Sequence, residues 1–486
     1  LRVISKGVYT LKRSPFSFFL LVALSLVSLF PVTAQETVTI DFVHIFAGEG
    51  DTRRNVLRGI ADAFEAQNPN VKINLVAPSP DYIENFNRAL LDASQGNAPH
   101  VVQVEEGLTQ LAIDSGFFLP IEDIASAEQL AQLEGILPVV RSYYEVGDKT
   151  WSVPWNSSNP VVYYNKTITD LLGVQLPEDR PATFEEILAA CARIKGFEQA
   201  IKAVNPAFTA CINFPLSSWF AEQWVAMQNG LLANNDNGRS ARATEMFYTS
   251  PEMLKVAEFY QALAENGYFT YTGTPNNFNG EGALFGSGAT VFHINSTAGI
   301  TLFVQGFQAA GVKLGIAPLF IPSAEATNGV TIGGASVWVM AGKSEAETQA
   351  AVDWVFFLTQ TENDIRWHQG SGYFPNREES IAYLNQGGLF VDAEGNITTP
   401  DAEGAVEVSW FETLPFFRVA LDQLQASQNN VATQGAVIGP SAEVRGVLVE
   451  AFQSIVDNGT TPAEALAAAK TRADAILADY NATIGE

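Results

Sequence analysis

Soft metal ligands and nucleophiles are scarce: 486 residues hold two cysteines, four histidines and four methionines. The histidines, His44, His100, His293 and His368, are scattered, with no HExxH and no pair at ligand spacing, and there is no GxSxG turn. Zinc hydrolysis and α/β-hydrolase chemistry are disfavoured, because each needs its ligands or nucleophile at a fixed spacing. Neither Cys191 nor Cys211 lies in a CxxC, so no zinc site, catalytic thiol or cofactor is implied. In an oxidising compartment a helix and the following strand could bring these two thiols together; the spacing leaves joined and free states both open.

Basic charge is short as well, at 27 Lys and Arg against 53 Asp and Glu. Four of the basic residues, Arg2, Lys6, Lys12 and Arg13, precede the apolar run FSFFLLVALSLVSLF and then VTA. That is the pattern of a secretory signal peptide cleaved near Ala34. The remainder carries 23 basic and 53 acidic residues, a net charge of −30. Such a balance argues against nucleic acid and anionic membranes as partners. No later run reaches 18 uncharged apolar residues, so no further membrane span is expected. The expectation is a monomeric protein exported to a periplasm or its equivalent.

The length exceeds what one hydrophobic core supports, and 47% apolar content is that of a packed globular protein. Val38 to Phe46 alternates as a strand does, the next segment has apolar residues at helical spacing, and the pattern repeats through VKINLVAPS, DYIENFNRALLDASQGN and HVVQV. The order βαβαβ implies a parallel sheet covered by helices, with ligands bound beyond the carboxyl ends of its strands. Those ends lead into FAGEGD, APSPDY and EEGL. Later helix starts are marked by Thr183 with Glu186, Ser344 with Glu347, and Ser250 and Thr461 each before a proline. Further strands are expected at GATVFHI, KLGIAPL and ASVWVMA, and a surface insertion at 392–404.

Three features point to binding. Ser441 reads as a helix cap that places Arg445 in the first turn, where helix amides and a guanidinium fork together suit a phosphate or carboxylate; pairing with Glu443 or another carboxylate is the competing reading. Glu105 and Glu106 close a strand at the crevice position, where a carboxylate accepts hydrogen bonds from vicinal hydroxyls. Tyr82, Trp155 and Trp219 offer aromatic faces to a polyol, or fill the core. In IRWHQGSGYFPN, Trp367 and His368 read as packing the last turn of a helix, with Gly370 and Gly372 turning the chain.

Taken in order, GNAPHVVQVEEG, PWNSSNPVVYYNK, TIGGASVWVMAGKS, WHQGSGYFPN and VRGVLVEAF…TTPAEAL resemble the extracellular solute-binding proteins of ABC importers, nearest to their glycerol-phosphate-binding branch. The likeness spans nearly all of the chain after the leader. It implies an α/β fold of two lobes, a flytrap joined by hinge-crossing segments, that captures a ligand for a membrane permease and catalyses nothing. One lobe is expected over 35–157 and 320–373, the other over 158–319 and 374–486.

By position, the resemblance assigns ligand contacts to Tyr82, Glu106, Ser158, Gly334, Tyr373 and Arg445. It implies that the arginine and a tyrosine hold phosphate, the glutamate takes glycerol hydroxyls, and the glycine offers an amide. Where the family has a serine-rich loop this chain has FHINSTAG, so Asn295, Ser296 or Thr297 stands in, and of a tryptophan pair only Trp219 is near. The expected ligand is glycerol-3-phosphate or a glycerophosphodiester, because a neutral sugar would leave Arg445 unpaired in a desolvated cleft. A sugar or oligosaccharide is the alternative, and a secreted glycosidase the remote one.

Overall fold

Branched and aromatic residues crowd the strand segments, and apolar residues recur at helical spacing between them; the computed structural model, which describes residues 37–48 and 50–485, folds accordingly. The expected signal peptide lies outside the described residues. Eleven strands make two principal sheets: β1 (Val38–Val43), β2 (Val71–Val76), β3 (Val101–Glu105), β4 (Phe118–Leu119), β5 (Val153–Ser158), β6 (Pro160–Asn165), β7 (Ile212–Asn213), β8 (Phe269–Thr270), β9 (Phe292–Ser296), β10 (Leu314–Pro318) and β11 (Gly333–Met340). The first sheet runs β2-β1-β3-β11-β4, with β5 also paired to β11. The second runs β8-β7-β9-β6-β10.

The βαβαβ start forms as expected. Strands β1, β2 and β3 are parallel, linked by helices Thr52–Gln67 and Tyr82–Ser94. Strand β11 returns antiparallel from far along the chain and joins β3 to β5, with an irregularity of register between Ala335 and Ser336. Gly334, just before it, has φ +104, and a Cβ there would lie 2.0 Å from the carbonyl oxygen of Asn156. Only glycine meets both demands.

The marked helix starts are present. Thr183 and Ser344 each cap through a reciprocal box with the glutamate three residues on, and Ser250 and Thr461 cap helices that begin with proline. Residues 392–404 lie at the surface as expected, and Ile397–Thr398 within them joins Gly388–Val391 and Val406–Ser409 in a small three-stranded sheet.

In IRWHQGSGYFPN, Trp367 and His368 are buried in the helix Thr361–Ser371. The His368 Nδ1 donates to the Tyr373 carbonyl at 2.7 Å, and burial pushes this imidazole down to about 4, so it stays neutral. Gly372 ends the helix in the left-handed region, φ +85. Gly370 does not turn the chain. It is helical, and a Cβ there would meet Val56 at 2.4 Å, so its smallness lets this helix close on Thr52–Gln67.

Cys191, on the helix Phe184–Gly196, and Cys211, directly before β7, are joined, settling the alternative that their spacing left open. Closing a loop of 20 residues restricts the unfolded chain by about 3 kcal/mol. Replacing both cysteines by alanine is therefore expected to lower unfolding stability by about that amount. Urea titration of the variant beside the oxidised wild type measures it, and equal midpoints would refute it.

Candidate ligand-binding site

The carboxyl ends of β1, β2 and β3 open onto a cavity of about 850 Å³, toward the upper end of the roughly 300–1,000 Å³ usual for small-molecule sites. Its opposite wall comes from segments flanking β7 and β9 of the second sheet. Tyr82, Glu106, Ser158, Trp219, Gly334, Tyr373 and Arg445 line this one space, with Asn295 and Ser296, whereas Thr297, the third candidate of that loop, is buried away from it. Trp155 does not. It is buried against Trp367, ring centroids 4.6 Å apart, as part of the core.

Aromatic groups stand on both walls. Tyr82 begins the helix Tyr82–Ser94, capped by Asp81, and its hydroxyl accepts from the Asn156 amide at 2.8 Å. Burial, with the adjoining Tyr373 phenol, holds the Tyr82 hydroxyl well above its usual range and therefore protonated. Trp219 lies over Gly333, its ring within 2.4 Å of where a Cβ would project, and its indole N–H is buried without a partner.

The loop residues differ from each other. The Asn295 amide is already used, donating to the Phe278 carbonyl at 3.2 Å and lying 3.0 Å from His293 Nε2, while its oxygen accepts from the Ser296 N–H at 2.7 Å. The Ser296 hydroxyl accepts from the Ala298 N–H, which leaves its proton to donate elsewhere.

Arg445 departs most from the expectation. The helix Ser441–Asn458 begins after Pro440, so Ser441 is its first residue and no side chain caps it; Arg445 stands one turn in. Its guanidinium is not free. Nε and Nη2 donate to the two carboxylate oxygens of Glu222 at 2.8 and 2.7 Å, and Nη2 also to Glu106 at 3.2 Å. Glu105 lies 4.0 Å from Nη1. The premise that a neutral ligand would leave Arg445 unpaired is thus corrected: the protein supplies the carboxylate itself.

Glu222 was missed in the sequence, although it follows Trp219 by three residues on the helix Ser218–Met227 and so shares its face. A second ion pair was missed too. Arg53 reaches the cavity but is forked onto Asp51 at 2.8 and 2.7 Å and lies over the Phe46 ring. Among the described residues, both cations lining the cavity are therefore paired, and the acidic groups Asp51, Asp81, Glu105 and Glu106 outnumber them.

Glu106 is 2% exposed, and one of its oxygens, Oε2, is buried without a hydrogen bond. Burial first, then the neighbouring Glu105, push its carboxyl up to about 8; Arg445, forked onto Glu222, offsets this only in part. At neutral pH the group is largely a carboxylic acid, able both to donate and to accept.

A family model described as bacterial extracellular solute-binding protein matches residues 59–388. The chain belongs to that family. The sn-glycerol-3-phosphate-binding periplasmic protein UgpB of Pectobacterium atrosepticum is 27% identical over 455 residues, covering 91% of this chain and 92% of that protein. Among solved structures, UgpB from Mycobacterium tuberculosis in complex with glycerophosphocholine superposes with a TM-score of 0.68 at 18% identity, over 92% of this chain and all of the other. Maltose-bound MalE3 of T. maritima superposes with a TM-score of 0.66 at 16% identity, over 90% of this chain and all of the other. At such identities these structures share the two-lobed α/β fold. The solute-binding family and these relatives are binding proteins, not enzymes.

Burial, then Glu105, push the folded Glu106 carboxyl from its ordinary 4.5 up to about 8. Between those values the folded state holds a proton that the unfolded chain has lost, so stability is fully present below about pH 4.5 and falls as pH rises through 8. Glu106→Gln is expected to flatten that decline. Urea midpoints at acidic, neutral and alkaline pH measure it, and equal slopes for wild type and variant would contradict it.

Proposed function

We propose that this chain is the extracytoplasmic substrate-binding subunit of an ABC importer, holding a polyhydroxylated neutral solute of the carbohydrate class between its two sheets for delivery to a membrane permease. The observation that carries the ligand class is the Arg445 fork engaged by Glu222 at 2.8 and 2.7 Å. With Arg53 engaged by Asp51 as well, an anionic solute would enter an acid-rich cavity with no unpaired cation lining it, among the described residues. A sugar meets what is there. Trp219, Tyr82 and Tyr373 present apolar faces to ring carbons, and Glu106, with an unpartnered oxygen, takes hydroxyls. A volume of about 850 Å³ suits more than one sugar ring.

Within the same class of protein, a glycerol-phosphate ligand is the second reading. It is favoured by the presence of the expected residue types at Tyr82, Glu106, Ser158, Gly334, Tyr373 and Arg445, and by the glycerol-3-phosphate-binding relatives. A glycerophosphodiester with a cationic head suits the acidic wall better than glycerol-3-phosphate does.

The lobe division expected from the sequence, 35–157 with 320–373 and 158–319 with 374–486, is part of this proposal. Phe320 packing on Phe292 and Ile321 pairing with Thr183, both beside the second sheet, favour a return crossing somewhat after residue 320. Closing one lobe on the other lets contacts from both select the closed state.

Isothermal titration calorimetry of residues 35–486 tests the ligand class, against glycerol-3-phosphate, glycerophosphocholine, maltose and other neutral di- to tetrasaccharides. Binding of a neutral saccharide at roughly micromolar Kd or tighter, with no heat from glycerol-3-phosphate, is expected. Heat from the phosphate esters alone would overturn the neutral-solute reading in favour of the second.

A further inference from the structure

We infer that Glu222 sets the ligand specificity of this cavity: its carboxylate occupies the place on the Arg445 fork that a bound phosphate or carboxylate would need, so the site admits uncharged polyols and refuses anions. The inference rests on the reading of this cavity as the solute site.

The geometry is that of a completed anion site. A guanidinium presents parallel N–H pairs that match two oxygens of one anion. On Arg445 the pair formed by Nε and Nη2 meets Glu222 Oε1 and Oε2 at 2.8 and 2.7 Å. The remaining donor group, Nη1, has Glu105 as its nearest acid, 4.0 Å away. The guanidinium cannot easily swing to a new partner either. It lies against Gly107 so closely that a Cβ on that residue would fall 2.2 Å from Nη1.

Glu222 is also held. Its side chain is 12% exposed, and it rides on the helix Ser218–Met227 that carries Trp219, one turn away. An entering phosphate would find only Nη1 of the fork unengaged; to take both donors it would have to break this pair and leave Glu222 enclosed without a cation, a state that proteins avoid. It would also bring its own charge beside Glu105. A neutral solute breaks nothing. It can hydrogen-bond to Glu105 and to the Glu106 carboxyl while the Arg445–Glu222 pair stays intact.

The test measures glycerol-3-phosphate affinity by calorimetry on wild type, Glu222→Gln, Glu222→Ala and the double variant Glu222→Ala/Arg445→Ala. Gln keeps the shape and removes the charge; Ala opens the space, and circular dichroism confirms that each variant is folded. Expected is no measurable binding to wild type, affinity at least about tenfold stronger in one or both single variants, the scale of a charge-assisted contact regained, and loss of that gain in the double variant. Equal affinity for wild type and single variants, or no gain in either folded single variant, overturns the inference.

Neutral saccharides are titrated in parallel. A gain of glycerol-3-phosphate binding in protein that takes no saccharide would uphold the role of Glu222 while refuting the neutral-solute reading. Saccharide binding without that gain would do the reverse.

Discussion

One guanidinium has to stay charged in a largely enclosed place, and the site is arranged around that requirement. Arg445 comes from the helix Ser441–Asn458, Glu222 from Ser218–Met227 and Glu106 from the turn after β3. Three stretches widely separated in sequence must meet before its charge is satisfied. Breaking such a buried cluster by removing one member costs roughly 3–5 kcal/mol, so the cavity wall is held by the same contacts that give it its chemistry. The acid surplus has its own consequence: Glu106 resolves part of the repulsion by keeping its proton.

The rest of the wall follows from the sheet. Parallel strands β1, β2 and β3 end together, so the loops after them converge, and among the described residues of those loops none has a positive φ. The exception is Gly334 on the returning strand β11, where the irregular register and a positive φ bring the backbone close to Asn156. Against this frame the second sheet sets Trp219 and the Asn295–Ser296 loop. The result is a cavity with aromatic faces from both sheets' surroundings and carboxyl groups among its lining residues.

What could be read beforehand was local. Alternation and helical spacing located the βαβαβ start, and the boxes at Thr183 and Ser344 marked helix starts, because each signal lies within a few residues. Tyr82, Glu106, Ser158, Gly334, Tyr373 and Arg445 could be singled out because short quoted segments carry a family resemblance. The Arg445 partner could not. Glu222 is 223 residues away, and only the packing of two helices makes it the neighbour rather than Glu443. Gly370 was misread for a related reason: a glycine next to a helix end looks like a turn, and its real constraint is Val56, from another helix altogether. Asn295 illustrates the limit on its own side. Its place on the cavity wall was legible, but the engagement of its amide by Phe278 and His293 depends on three-dimensional neighbours.

The passage from β5 to β6 has a mechanical meaning. Strand β5 ends at Ser158 in the first sheet and β6 starts at Pro160 in the second, so Asn159 alone carries the chain across. The proline bars its neighbour from the helical region, the Asn159 amide donates to the Ala420 carbonyl and accepts from Gln423, and its own carbonyl accepts from Thr297. This is a stiff pivot with a short lever arm. Ser158, one residue from it, is displaced least when the sheets tilt, and residues farther out sweep through larger arcs. On the proposed reading, a solute touching Ser158 would sit at a fixed fulcrum, against which its contacts on the far wall would draw the sheets together.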